Sequence, residues 1–226
     1  MSEKPPGYYA QERGDLVAQL PRPLGRVLDV GCGEGAAARP LRAAGASWIS
    51  GIELYEPAAV RARAVYDEVV AGRAEESLSN VSGPFDTVLA YDVLEHLFDP
   101  GALLRMLHAV AGPSAVLQVS VPNARHWSLL RDLVVRGTFG YADAGHRDRT
   151  HLRWFTKSDL RDLLEDADWQ VERMSHGRLR APSRVAARLT GGLTAEFLVY
   201  QISALARLSA HDEGRESSQE TERSER

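Results

Sequence analysis

Three glycines in alternation follow an apolar segment near the start of the chain. They are Gly31, Gly33 and Gly35, and they come directly after residues 27–30. Glycine lets the backbone turn tightly and approach a ligand closely, since there is no Cβ in the way. A helix predicted to begin near Ala36 would direct its free N–H groups at that ligand. The pattern therefore predicts a loop that binds a nucleotide-like molecule between a buried strand and a helix.

Two kinds of cofactor fit this loop. Gly31, Gly33 and Ala36 satisfy the dinucleotide pattern G-x-G-x-x-G/A. Asp29, however, lies at the end of the strand, where its carboxylate would repel a pyrophosphate and attract the ammonium of a methionine group. Asp29 thus favours a cofactor that carries methionine, and a dinucleotide such as NAD remains the alternative.

A second acid follows at a suitable distance. Residues 48–53 are predicted to form the second strand, which ends at Glu53. An acid about 20 residues beyond such a glycine loop accepts hydrogen bonds from ribose hydroxyls. We place Glu53 and its neighbour Leu54 in the cofactor site, together with Cys32, whose small side chain suits the loop.

The composition limits the class of protein. The chain has 226 residues, 44% of them hydrophobic, which predicts one domain over residues 1–210. The charged, serine-rich tail at 211–226 is predicted to be disordered. A net charge of −4 does not favour a nucleic-acid partner. One cysteine excludes a disulfide framework. No apolar run approaches membrane-spanning length, so we expect a cytoplasmic protein without a membrane partner.

Strands and helices alternate along most of the chain, which predicts a parallel sheet with helices on both faces. After the fifth strand this alternation is interrupted by residues 125–154, which we interpret as a lid over the substrate. The predicted strands are 27–30, 48–53, 68–71, 85–91, 115–121, 169–174 and 197–205. The predicted helices are 36–44, 57–66, 100–111, 126–136, 156–167 and 183–189.

Three of these segments together resemble the class I S-adenosylmethionine-dependent methyltransferases. Residues 27–35 resemble the first motif of that superfamily, residues 51–53 its ribose-binding acid, and residues 85–97 its fourth-strand motif. The resemblance implies a Rossmann-like fold with a mostly parallel seven-stranded sheet, helices on both faces and a lid after the fifth strand. It also implies that S-adenosylmethionine is the cofactor, and that Tyr91, Asp92 and His96 line its site.

The resemblance extends to a bacterial subgroup associated with polysaccharide, glycan or natural-product methylation. Tyr9 and Arg13 look like the N-terminal segment that folds over the cofactor in this subgroup, and residues 150–156 resemble its late motif. The acceptor implied is a small molecule, foremost a hydroxyl of a sugar or glycosylated metabolite. N- or C-methylation in a secondary-metabolite pathway is the alternative. Arg73 replaces the acid that commonly binds adenine, so adenine recognition differs here.

A hydroxyl or amine acceptor needs a base, and histidine is suited to that role because its unperturbed pKa lies near ~6.5. His151 is the first candidate, and the others are His126, His146 and Asp148, all at the predicted lid.

The string Asp92-x-x-Glu95-His96 would place three polar groups on one side of a helix. Related enzymes with Glu-x-x-Glu-His bind a divalent cation there, but the string found here also occurs widely in methyltransferases that need none. We therefore predict no metal. The sequence does not predict the oligomeric state.

Overall fold

The computed structural model describes residue 7, residues 9–176 and residues 194–208. The helix predicted at 183–189 and the tail at 211–226 lie outside these residues. The strands of the described part are β1 (Gly25–Val30), β2 (Ala46–Glu53), β3 (Glu68–Ala71), β4 (Phe85–Tyr91), β5 (Ala111–Pro122), β6 (Trp169–His176) and β7 (Gln201–Leu208).

These strands form one sheet in the order β3-β2-β1-β4-β5-β7-β6. The first five strands pair in parallel, whereas β7 is antiparallel to both β5 and β6. The predicted mostly parallel seven-stranded sheet is confirmed. From β1, the strands β2 and β3 are added toward one edge of the sheet, whereas β4 and β5 are added toward the other. The strand order therefore reverses between β1 and β4, and open α/β sheets bind ligands at such a switch point.

Short helices connect the strands. They are α1 (Gly14–Val17), α2 (Ala38–Ala43), α3 (Glu56–Ala62), α4 (Ala74–Ser77), α5 (Pro100–Met106), α6 (Trp127–Val134), α7 (Lys157–Glu165) and α8 (Ala195–Leu198). Single 3-10 turns cover Leu78–Asn80, Leu94–His96 and Leu107–Ala109. Thr156 caps α7 as predicted, because its hydroxyl accepts from Asp159 N–H while the Asp159 carboxylate accepts from Thr156 N–H.

The sheet is buried on both faces, as expected of parallel strands covered by helices. Successive side chains of β1 alternate between two apolar clusters: Val27 packs in one, with Leu41 and Ile49, and Leu28 packs in the other, with Trp169. All of these side chains are fully buried. The apolar residues on both sides of Asp29 in residues 27–30 therefore reflect a central strand with no solvent-facing side.

Several predicted elements have other bounds in the structure, and two of these differences have a clear cause. The helix predicted at 36–44 begins only at Ala38, because the left-handed backbone of Gly35 (φ 77°) extends the turn after β1. The strand predicted at 197–205 is Gln201–Leu208, and the apolar residues before it belong to α8. An apolar run of this length suits a helix as well as a strand, so periodicity alone does not separate the two.

The helix expected to carry Asp92, Glu95 and His96 is the third difference. Asp92 has a left-handed backbone (φ 55°), and only Leu94–His96 form a 3-10 turn. The three side chains consequently do not share one helical face.

Candidate active site

One cavity of about 680 Å³ lies at the carboxyl ends of β1, β2 and β4, at the switch point of the sheet. Most of the residues predicted for the site line this cavity: Tyr9, Arg13, Asp29, Gly31, Cys32, Gly33, Glu53, Leu54, Tyr91, Asp92, His96, Asp148 and His151. Gly35, His126 and His146 are absent from its described lining. Gly35 instead makes room for α3, since a Cβ there would lie 3.1 Å from the Ala62 backbone.

Glu53 braces the glycine loop. Its Oε2 accepts a hydrogen bond from Gly33 N–H at 2.8 Å, and its Oε1 accepts one from Tyr55 N–H at 2.8 Å. Burial raises the pKa of this carboxyl, and the backbone N–H groups lower it in part. The position of Glu53 in the sequence predicts only a ribose contact and does not reveal these hydrogen bonds to the backbone.

Asp29 is buried beneath the loop. Its carboxylate accepts a hydrogen bond from the Tyr66 hydroxyl at 2.6 Å. Desolvation raises the pKa of Asp29 to about 7, although the Tyr66 hydrogen bond lowers it. Tyr66 lies 37 positions along the chain from Asp29, at the end of a predicted helix, and nothing in the local sequence marks it as a partner of this acid.

The N-terminal segment covers the glycine loop. The Tyr9 carbonyl accepts from Glu34 N–H at 2.9 Å, and the Tyr9 ring stacks on Tyr55 with centroids 5.0 Å apart. A Cβ on Gly33 would lie 2.5 Å from the Tyr9 carbonyl oxygen. Gly33 is therefore required for the close approach of residue 9 to the loop.

Asp92 anchors the same segment. Its carboxylate forms an ion pair with Arg13 and accepts a hydrogen bond from the Gln201 amide. Arg13 in turn donates to Gln201 Oε1 at 2.8 Å. These three side chains tie the N-terminal segment, the turn after β4 and the start of β7 together at the cavity wall.

Tyr91 and Cys32 contribute bulk to the wall. The Tyr91 hydroxyl donates into the core, to Gln118, whose amide donates to the Leu16 carbonyl. Burial raises the pKa of the Cys32 thiol, which is therefore protonated and serves packing.

A second group of lining residues consists of Glu95, His96, Asp148, Thr150 and His151. The rings of His96 and His151 meet edge to face with centroids 4.8 Å apart. The Glu95 carbonyl accepts from the backbone N–H groups of Leu152 and Arg153, at 2.8 and 3.1 Å. These hydrogen bonds join the turn after β4 to the late motif, although the two segments are far apart in the sequence.

Glu95 is one of two nearly fully buried acids in this group, with Asp148. Its side chain is 1% exposed, and neither carboxylate oxygen has a hydrogen-bond partner within the described part of the chain. Burial raises its pKa to about 8. One carboxylate oxygen of Glu95 and one nitrogen each of His96 and His151 lie within 4.8 Å of one another. A carboxylate and two imidazoles form a donor set that suits a divalent transition metal or zinc.

His126 and His146 lie behind Tyr200, outside the lining. Their rings stack with centroids 4.8 Å apart, and His146 Nε2 lies 3.0 Å from the Tyr200 carbonyl oxygen. Desolvation lowers the pKa of His146 to about 4 and lowers that of His126. Tyr200 itself lines the cavity, so these histidines support its wall from behind.

The arginines of the predicted lid pair with acids. Buried Asp132 is contacted by Arg131, Arg136 and Arg147, at 2.8, 3.2 and 3.3 Å. Arg149 pairs with Asp143 at 2.9 Å. These contacts hold the segment after α6 together.

A family model described as a methyltransferase domain matches residues 3–173. The chain belongs to this methyltransferase family. Membership of this family confirms the predicted cofactor, S-adenosylmethionine, and the alternative of an NAD-dependent oxidoreductase is wrong.

The methyltransferase is 30% identical, over 184 residues, to the ubiquinone biosynthesis O-methyltransferase of Xanthomonas oryzae pv. oryzae strain PXO99A. This match covers 78% of this chain and 75% of that relative. A methyltransferase from Archaeoglobus fulgidus has the same fold (TM-score 0.66, 19% identity, 89% and 96% of the two chains). So does the 1,6-didemethyltoxoflavin-N1-methyltransferase of Burkholderia thailandensis, solved with S-adenosylhomocysteine (TM-score 0.57, 20% identity, 90% and 80%).

Among the helices that the structure describes, none has the length and apolar character required to cross a bilayer.

Proposed function

We propose that this methyltransferase transfers the methyl group to a hydroxyl oxygen of a small molecule. The observation that carries the proposal is the position of His96 and His151 in the cavity that also contains the glycine loop. Transfer to a hydroxyl oxygen is also supported by the Xanthomonas relative, which is an O-methyltransferase.

The geometry of the cavity suits the needs of this reaction. Methyl transfer from a sulfonium depends mainly on holding the nucleophile, the methyl carbon and the sulfur in line. A hydroxyl must also lose its proton, and a neutral imidazole can accept it. His151 is the first candidate from the sequence, and His96 lies against it. Asp29, Glu53 and the glycine loop would hold the cofactor.

Two classes of hydroxyl are candidates for the acceptor. The resemblance to the glycan-modifying subgroup favours a sugar or glycosylated metabolite. The Xanthomonas relative favours a phenol of the kind expected in quinone biosynthesis. The N1-methyltransferase of similar fold supports N-methylation as the alternative reaction.

The donor set of Glu95, His96 and His151 fits a divalent cation, because the Glu95 carboxylate is buried with no hydrogen-bond partner among the described residues. A bound cation would lower the pKa of a hydroxyl group coordinated to it. The absence of a metal stays our prediction from the sequence. Assays with and without EDTA decide the matter, since turnover that survives the chelator agrees with that prediction and turnover restored by Mn²⁺ or Zn²⁺ contradicts it.

The proposed function is tested with labelled S-adenosylmethionine and a panel of phenols, sugars, sugar nucleotides and amines. We expect an O-methylated product. We also expect His151→Asn to lower turnover by about 10²-fold or more, with S-adenosylhomocysteine affinity by calorimetry unchanged. His126→Asn serves as the control, because His126 lies behind Tyr200. A product methylated only on nitrogen or carbon, or full turnover in His151→Asn, contradicts the corresponding part of the proposal.

A further inference from the structure

Thr150 makes two contacts with one nitrogen of His96. The Nδ1 atom of His96 lies 3.0 Å from the Thr150 hydroxyl oxygen and 3.2 Å from the Thr150 carbonyl oxygen. The Thr150 hydroxyl donates its own proton to Asp148 Oδ1 at 2.7 Å, and the same oxygen of Asp148 accepts from Thr150 N–H at 2.9 Å. Asp148 is 1% exposed, so the carboxylate that accepts both of these hydrogen bonds is buried.

These contacts determine which nitrogen of His96 carries the proton. Because the Thr150 hydroxyl proton is directed at Asp148, its oxygen can offer His96 only a lone pair. The Thr150 carbonyl also offers only lone pairs. The Nδ1 atom must therefore be the donor, since an unprotonated Nδ1 would face two acceptors. In neutral His96 the lone pair is then on Nε2, and His96 lines the cavity.

We infer that Thr150 is a positioning residue that fixes His96 as its Nδ1–H tautomer, so that Nε2 can accept the proton of the acceptor hydroxyl. The inference rests on the proposed hydroxyl chemistry. In the reaction, the hydroxyl oxygen bonds to the methyl carbon as the carbon–sulfur bond breaks, S-adenosylhomocysteine leaves, and the hydroxyl proton passes to Nε2 of His96. His96 thus takes the role for which His151 was the first candidate, and His151, whose ring meets that of His96 edge to face, holds the base in place. The resulting imidazolium keeps its Nδ1–H bond to Thr150.

This role extends what the sequence analysis assigned to both residues. From the sequence, His96 is predicted to line the cofactor site and is part of the Asp92-x-x-Glu95-His96 string, and Thr150 is the first residue of the late motif. The Thr150 contact connects positions 54 apart in the chain, and the hydrogen bond made by one ring nitrogen of a histidine sets the protonation of the other.

The tautomer is measured directly by long-range ¹H–¹⁵N correlation spectra of the imidazole groups. The His96 signals are assigned from their loss in His96→Gln. We expect the Nδ1–H pattern in the wild-type protein with S-adenosylhomocysteine bound. An Nε2–H pattern overturns the inference, and because this measurement needs no acceptor, it stands even if the proposed hydroxyl chemistry fails.

The hydroxyl of Thr150 is tested with a matched pair of variants. Thr150→Val keeps the shape of the side chain and removes the hydroxyl, whereas Thr150→Ser keeps the hydroxyl and removes the methyl group. We expect Thr150→Val to lower kcat about tenfold or more, with KM and S-adenosylhomocysteine affinity little changed, and Thr150→Ser to restore most of the loss. Equal loss in both variants, or a loss confined to KM, assigns Thr150 a packing role and overturns the inference.

Discussion

Replacing Gly33 by alanine tests how the N-terminal segment and the glycine loop form the cofactor site. The new Cβ would lie 2.5 Å from the Tyr9 carbonyl oxygen, at a residue whose φ is +55°. A left-handed alanine costs about 1–2 kcal/mol. Displacing the Tyr9 carbonyl weakens its hydrogen bond with Glu34 N–H, which is worth about 1 kcal/mol. We therefore expect the free energy of unfolding to fall by about 2–3 kcal/mol.

The effect on cofactor binding is the more specific result. The Gly33 N–H donates a hydrogen bond to Glu53. A shifted loop therefore also disturbs the acid that we propose to bind the ribose. We expect the affinity for S-adenosylhomocysteine, measured by calorimetry, to fall at least about tenfold, equivalent to ~1.4 kcal/mol.

A second glycine supplies the matched control. Gly137 also has a left-handed backbone (φ +64°), but a Cβ there would meet nothing within 4 Å. Gly137→Ala should carry the backbone strain of about 1–2 kcal/mol without affecting cofactor affinity. If Gly33→Ala binds S-adenosylhomocysteine as tightly as Gly137→Ala does, the reasoning about the close approach of Tyr9 is refuted.

Three further predictions follow from single contacts. The pKa of Asp29 is raised from 3.8 to about 7, so the folded state binds this proton more tightly than the unfolded chain. The free energy of unfolding of the apoprotein should therefore fall as pH rises between these values, by up to ~1.4 kcal/mol per pH unit. Asp29→Asn should flatten this pH dependence, measured by urea denaturation, and an unchanged pH dependence would contradict the reasoning. Arg13→Gln removes the ion pair with Asp92, so we expect weaker S-adenosylhomocysteine binding and faster proteolysis before β1, and wild-type behaviour in both assays would count against the anchor. Trp169→Phe leaves the buried Leu104 carbonyl without its indole partner at 2.9 Å and should lower the unfolding free energy by about 1–3 kcal/mol, whereas no loss would show that the bond is dispensable.

The sheet could be predicted from the sequence because its strands are buried on both faces. Residues 27–30 and 85–91 are nearly continuous apolar runs bounded by glycine or acid, which is typical of central parallel strands. The last strand was placed too early because the apolar residues of α8 precede it without a clear change of period.

The residues proposed to hold the cofactor could be grouped from the sequence because they are close to the strand ends. Asp29 is the penultimate residue of β1 and Glu53 is the last residue of β2, and parallel strands bring these ends to the same edge. The group that we propose for the acceptor depends on contacts between distant residues, such as Thr150 with His96, which no local pattern reports. Asp92 was misplaced on a helix because its left-handed backbone is a local exception that the amino-acid types do not reveal.

The central claim is that this methyltransferase methylates a hydroxyl oxygen in the cavity that holds His96 and His151. It is tested most directly with S-adenosylmethionine labelled with ¹³C in the methyl group and an accepted member of the substrate panel. O-, N- and C-methyl carbons give separate ¹³C resonances, so one spectrum identifies the methylated atom. We predict an O-methyl signal that is lost in His151→Asn and strongly reduced in Thr150→Val. An N-methyl or C-methyl signal in its place would contradict the account.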